Sequence, residues 1–142
     1  MKIKSLHPNF KLPTKSRKET AGYDLYMPEG GTVTGQSPTL INLGFAAAIP
    51  QGYVGLILPR SGVGSKKGVE LNNTCGVIDA DYRGEWMAMM RTKGLYDTYY
   101  WKAGERVLQV LFVPVLHIDG FVLVDDLDAT DRGEAGFGSS GK

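Results

Sequence analysis

The stretch Asn73–Gly84 reads Asn-Thr-Cys-Gly-Val-Ile-Asp-Ala-Asp-Tyr-Arg-Gly and concentrates reactive side chains. Apolar Val77 and Ile78 lead into two carboxylates, Asp79 and Asp81. A phenol ring, Tyr82, and a guanidinium, Arg83, follow at once, and Gly84 closes the turn. Trp86, Met87, Met89 and Met90 then resume an apolar run. Strand, turn residues, strand predicts a β-hairpin. Such a hairpin would hold a carboxylate and a ring rigidly beside a pocket. Asp and Gly also favour turns for backbone reasons alone, so a turn without chemistry is the alternative.

A second stretch, Pro59-Arg-Ser-Gly-Val-Gly-Ser-Lys-Lys-Gly68, has the chemistry of an anion cradle. Closely spaced glycines expose backbone N–H groups, Ser61 and Ser65 add hydroxyls, and the Arg60 fork suits phosphate oxygens. A short helix starting near Ser61 would aim its N-terminus at an anion. The Walker spacing is absent, and an ordinary Gly/Ser loop is the alternative. Asp24 lies among aromatic and apolar neighbours, where an unpaired buried charge is costly. It either caps a turn or faces a cation or a hydrated metal. Gln109, inside the apolar run Glu105–Leu116, needs partners for its amide. Arg132 and Phe137 place a cation and a ring in a glycine-rich tail that otherwise reads as disordered.

These residues require a scaffold of short strands. The 142 residues suit one domain. The 19 glycines and 7 prolines are dispersed, which suggests many turns. Strands are expected at Met1–Leu6, at Thr39–Ile49 and Tyr53–Leu58 as a hairpin about Pro50-Gln51-Gly52, and at Asp97–Trp101. The β-branched content of Glu105–Leu116, together with Pro114, favours strand over helix. Ile118–Val124 reads as a further strand, and Asp125–Asp131 as an acidic, turn-rich segment. With 16 Lys and Arg against 15 Asp and Glu, the net charge of +1 offers no surface for nucleic acid. Cys75 stands alone, so no internal disulfide framework exists, and a small buried hydrophobe suits it better than a nucleophile. No apolar run approaches the ~20 residues of a membrane helix. The N-terminus lacks a secretion signal, so the interior of a cell is expected, cytoplasmic or nuclear. His117 has no second ligand placed for a metal.

Five segments in fixed order resemble the deoxyuridine triphosphatase family, the homotrimeric dUTPases. They are Ala21-Gly-Tyr-Asp-Leu25; Pro59-Arg-Ser-Gly-Val-Gly64; Gly76-Val-Ile-Asp-Ala-Asp-Tyr-Arg-Gly84; Gly104-Glu-Arg-Val-Leu-Gln109; and Arg132-Gly-Glu-Ala-Gly-Phe-Gly-Ser-Ser-Gly141. The resemblance implies an all-β jelly-roll subunit with at most one short helix, spanning residues 1–130, and a glycine-rich lid over residues 131–142. It implies a homotrimer whose three sites each draw on all three chains. It implies hydrolysis of dUTP to dUMP and pyrophosphate with Mg²⁺, which keeps uracil out of DNA and supplies dUMP.

Residue roles follow from the same resemblance. Backbone groups near Val77, Ile78 and Met87, with the Asn73 side chain, would imitate a pairing partner for uracil. Tyr82 would pack under the sugar where a ribose 2′-OH would clash. Asp79 would be the general base, deprotonating water for attack on the α-phosphorus. Arg60, Ser61, Gly62 and Gln109 would position phosphates, and Asp24 would act on the hydrated metal through water. From the tail, Arg132 would clamp the γ-phosphate, Phe137 would stack on uracil, and Gly138, Ser139 and Ser140 would complete the phosphate contacts. Phosphoryl transfer needs alignment and charge neutralisation more than covalent chemistry, and the chain carries no Ser-His-Asp or Cys-His signature. One departure is Ala135, where the tail motif has glycine. It must accept a negative φ or strain. The alternatives are a deaminase of dCTP on the same fold and a nucleotide-sensing regulator.

Overall fold

The computed structural model of the chain describes residues 1–136. Eleven strands and one short helix make up its regular structure. In chain order the strands are β1 (Lys2–Ser5), β2 (Tyr23–Tyr26), β3 (Gly31–Thr34), β4 (Thr39–Asn42), β5 (Phe45–Ala48) and β6 (Tyr53–Pro59). Helix α1 (Ser61–Lys67) follows, then β7 (Val69–Leu71), β8 (Gly76–Ile78), β9 (Met87–Thr92), β10 (Thr98–Trp101) and β11 (Arg106–Pro114). A four-stranded sheet runs β2-β11-β6-β8, and a three-stranded one runs β4-β9-β7. Two ribbons, β1-β5 and β10-β3, complete the strand pairing. All these pairs are antiparallel. The inward faces converge on Leu25, Ile57, Trp86, Met90, Val107 and Leu108, each essentially inaccessible to water. No helix among the described residues is long and apolar enough to cross a membrane.

Four expected features differ. The Thr39–Ile49 run is not one strand: Gly44 takes φ +75° and divides it into β4 and β5. The Pro50–Gly52 turn forms, with Tyr53 N–H donating to Pro50 O and Gly52 at φ +83°. Yet β5 pairs with β1, and β6 pairs with β11 and β8, so no hairpin ladder joins them. The arms around Asp79 also separate: β8 joins β6, whereas β9 lies between β4 and β7. The loop between them crosses from one sheet to the other. Finally, Ile118–Val124 forms no strand. Its apolar content is that of a strand, but no ladder among the described residues receives it, and Phe121, Val122 and Leu123 stand 94, 85 and 99% exposed.

Candidate active site

Position in the large sheet decides which functional residues can meet. Asp24 on β2, Gln109 on β11 and Leu58 on β6 are level with one another. Pro59 ends β6, and Arg60 turns directly into α1 as its N-cap, in extended backbone (φ −64°, ψ 148°). Arg60 makes no side-chain cap bond to the helix. Its guanidinium reaches instead to Asp24, Nε donating to Oδ1 at 2.7 Å. Arg106 reaches the other oxygen of the same carboxylate, Nη1 to Oδ2 at 3.1 Å. Asp24 is only 7% exposed, and a buried carboxylate is tolerable when both oxygens are paired in this way. Gln109 donates from Nε2 to Pro59 O at 3.1 Å. Gly22 makes room for that amide: a Cβ there would fall 2.4 Å from Gln109 Oε1.

Helix α1 supplies the neighbouring donors. Val63 and Gly64 N–H both bond back to Arg60 O, and a helix leaves its first amides without an internal acceptor. Those amides belong to Ser61 and Gly62, both exposed. A Cβ on Gly62 would meet no atom within 4 Å, so packing within the chain does not demand glycine there. Glycine there leaves the backbone open to close approach. Gly68 ends the helix at φ +66°, its N–H on Val63 O. Asp24, Arg60, Ser61, Gly62 and Gln109 therefore form one cluster, rich in donors and cations.

The Asp79 loop is built differently. Gly76 packs against Ile57, where a Cβ would come 3.1 Å from the Ile57 Cβ. Before it, Thr74 adopts φ +68°, a strained conformation for a β-branched residue, in a turn closed by Thr74 N–H to Leu71 O and Cys75 N–H to Asn73 O. Asn73 is thereby held on a tight bend. Burial pushes the Cys75 thiol up, which favours the unreactive protonated form and fits the small-hydrophobe reading. Beyond β8, Tyr82 N–H bonds to Asp79 O, and Tyr82 OH donates to Glu85 O at 3.0 Å. Gly84 lets the ring lie flat on the turn, since a Cβ would sit 2.4 Å from the Tyr82 hydroxyl. Arg83 donates to Ala80 O and Tyr82 O, not to Asp81. Val77 (61% exposed), Met87 and Tyr82 present apolar surface outward. Asp79 is exposed, and its carboxylate has no partner among the described residues.

The two groups do not meet within one chain. Ile78, just before Asp79, is level with Gly55, three positions along β6 from Leu58. It is also three strands across from Asp24. These offsets put Ile78 roughly 17 Å from Asp24, by strand rise and strand spacing. Asp79 continues away from Arg60, because β8 runs antiparallel to β6. An apolar cleft of about 440 Å³, lined by Ile3, Tyr23, Trp86 and Phe112 among others, contains none of the expected site residues.

Arg132 is exposed and turns back on its own segment, Nε donating to Ala135 O at 3.0 Å. Ala135 avoids positive φ, and Gly133 takes the left-handed position instead, at φ +52°. Phe137, Gly138, Ser139 and Ser140 lie outside the described residues. No group of three or more His, Cys, Asp or Glu side chains gathers for a metal among the described residues. The sequence alone assigns Arg106 no role, because its link to Asp24 depends on the pairing of β11 with β2.

The dUTPase family model matches residues 8–141. The chain belongs to the dUTPase family. It is 42% identical to the deoxyuridine 5'-triphosphate nucleotidohydrolase of Enterobacter sp. (strain 638), over 99% of this chain and 95% of the relative. Identity to the Escherichia coli protein of the same name is 40%, over 99% and 96% of the two chains. Among solved structures, a mutant of the Staphylococcus bacteriophage 80alpha dUTPase with dUpNHpp matches with TM-score 0.87 at 30% identity, covering 99% of this chain and 98% of that one. A mutant dUTPase from phage phi11 of S. aureus, with a structural Mg(II) ion, matches with TM-score 0.78 at 26% identity, covering 88% and 96%. The mostly-β fold with one short helix is that of these dUTPases.

Proposed function

We propose that this chain hydrolyses dUTP to dUMP and pyrophosphate, at sites assembled from more than one copy. One observation carries this reading: the Asp24 carboxylate is paired to two cations, while the Asp79 carboxylate, without a partner among the described residues, faces outward at the far end of the same sheet. A general base must lie within hydrogen-bond reach of its water. A second copy placing its Asp79 loop against Arg60 and α1 meets that need. The exposed apolar run around Leu116, Ile118, Phe121 and Leu123 supports assembly, because a patch of this kind is seldom left in water. Threefold closure, as the family resemblance implies, joins the two surfaces head to tail in a ring.

In this reading uracil lies against the backbone of Val77, Ile78 and Met87 and the Asn73 side chain. Tyr82 floors the sugar and disfavours a 2′-OH. Arg60, the Ser61 and Gly62 amides and Gln109 hold the phosphates in line. Asp79 takes the proton from water as its oxygen bonds to the α-phosphorus and the bond to the bridging oxygen breaks, releasing pyrophosphate. With no cluster of direct ligands among the described residues, Asp24 suits an ion that would draw its inner oxygens from water and phosphate. Asp24 would hold Mg²⁺ through water, since each carboxylate oxygen still has acceptor capacity beyond its one guanidinium bond. When bound, the ion would neutralise charge on the triphosphate. The domain 1–130 supplies this framework, and the segment 131–142, with Arg132, Phe137, Gly138, Ser139 and Ser140, closes over it.

Pyrophosphate release measured side by side with dUTP, dCTP, dTTP and UTP tests the reading. Release from dUTP alone is expected. Ammonia from dCTP, or no turnover of dUTP, would contradict it. The deaminase alternative has no support from the matched relatives, which are named nucleotidohydrolases.

A further inference from the structure

The pairing of Asp24 is uneven in charge. Two guanidiniums share one carboxylate, so the cluster carries one positive charge in excess. Arg60 spends Nε on Asp24 Oδ1 and Nη1 on Arg106 O, and its own backbone N–H bonds Val107 O at 3.0 Å. Arg106 spends Nη1 on Asp24 Oδ2. That leaves Nη2 of Arg60, and Nε and Nη2 of Arg106, without partners among the described residues. The side chains are 33 and 43% exposed, so these edges face outward.

The backbone is irregular at the same place. Arg106 is level with Tyr26 and Leu108 with Leu25, so β11 carries one residue more than β2 between them. That residue, Val107, is fully buried. A β-bulge re-aims the side chains next to it. Here the bulge turns the carbonyls of Arg106 and Val107 onto Arg60 while the Arg106 side chain reaches Asp24. Three elements, β2, β11 and the start of α1, are thus tied to the orientation of one guanidinium.

We propose that Arg106 is a positioning residue for the triphosphate. It holds Asp24 from the far side, so that Asp24 fixes the Arg60 fork without cancelling the positive charge that attracts the phosphates. With Arg106 neutral, Asp24 and Arg60 form a one-to-one pair with no excess charge. This inference rests on the reading of Arg60 as a phosphate ligand. It is distinct from that reading because Arg106 acts through its neighbours.

Arg106→Gln, Arg106→Lys and Arg60→Gln, each in the full chain, separate the possibilities. Titration with dUpNHpp and with dUMP would be run beside dUTP kinetics and thermal unfolding. For Arg106→Gln, affinity for dUpNHpp is expected to fall about tenfold to a hundredfold, the size of a lost charged hydrogen-bond network, with a matching rise in KM for dUTP. Affinity for dUMP should change much less. Arg106→Lys restores the charge without the planar fork and should recover part of the loss. Parental dUpNHpp affinity in Arg106→Gln, with Arg60→Gln impaired, would overturn the inference alone. Parental affinity in both would overturn the reading of the site as well. An equal loss for dUpNHpp and dUMP with a lowered melting temperature would assign Arg106 a merely structural role. Should Arg106→Gln fail to fold, Arg106→Lys decides by the ratio of the two affinities: a ratio shifted against dUpNHpp supports the inference, and an unchanged ratio overturns it.

Discussion

The Asp24–Arg60–Arg106 cluster and the Asp79 loop both present charge at the surface of one sheet, yet they are built on opposite terms. In the cluster, every carboxylate oxygen is paired, the amide of Gln109 is bonded, and glycine at position 22 clears the space. In the loop, the backbone is locked by a strained Thr74 and a tethered Tyr82, but the Asp79 carboxylate is left without a partner among the described residues. The difference fits two tasks. Groups that hold an anion gain from being fixed in advance. A group that must accept a proton loses its use if a cation already occupies it. Under the proposed function, separating the tasks along the sheet would make each half depend on a facing copy.

Substitutions sharpen this contrast, beginning with the largest expected effect. Asp79→Asn should retain dUTP binding and lose about two or more orders of magnitude in kcat, because the loop keeps its shape but has no base. Unchanged turnover would remove Asp79 from the mechanism. Truncation after Asp131 should leave a folded protein, since residues 132–136 are exposed, but turnover should fall about as far as closure over the substrate contributes, on the order of a hundredfold. Full activity would rule out the lid.

Gly62→Ala probes the cluster without touching its charges. The new methyl meets nothing in the chain, and alanine suits a helix better than glycine, so stability should rise by roughly 0.5–1 kcal/mol. Activity should fall about tenfold if phosphates approach that amide closely. A variant as active as the parent would place the phosphates elsewhere. Thr74→Gly makes the reciprocal test on the loop. Relief of the positive φ should stabilise the chain by about 1 kcal/mol in denaturant titration. The bend that carries Asn73 should loosen, raising KM for dUTP a few-fold. An unchanged KM would mean that the strain serves no binding role.

Much of this arrangement was legible in the residues, and the exceptions have physical causes. Strand periodicity located most elements, and the glycine-serine stretch after β6 correctly announced a short helix at Ser61. Periodicity says which face is apolar but not which strand lies alongside. The arms around Asp79 therefore read as a hairpin when they belong to different sheets. Ile118–Val124 has the composition of a strand, but a strand also needs an edge, and no ladder among the described residues receives it. Buried Asp24 signalled a required partner, and a cation was among the options. That the partners are Arg60 and Arg106, 36 and 82 positions away, depends on β11 standing between β2 and β6 and on the bulge at Val107.

Mixing two inactive variants tests the central claim most directly. Asp79→Asn and Arg60→Gln, each dead alone, would be unfolded together in equal amounts, refolded and assayed for pyrophosphate release from dUTP. If each site joins the Asp79 loop of one copy to the Arg60 cluster of another, about one quarter of the sites in a random mixture regain both residues, and activity returns in that proportion. A mixture as inactive as its parents would show that both residues serve from the same chain, and would contradict the account.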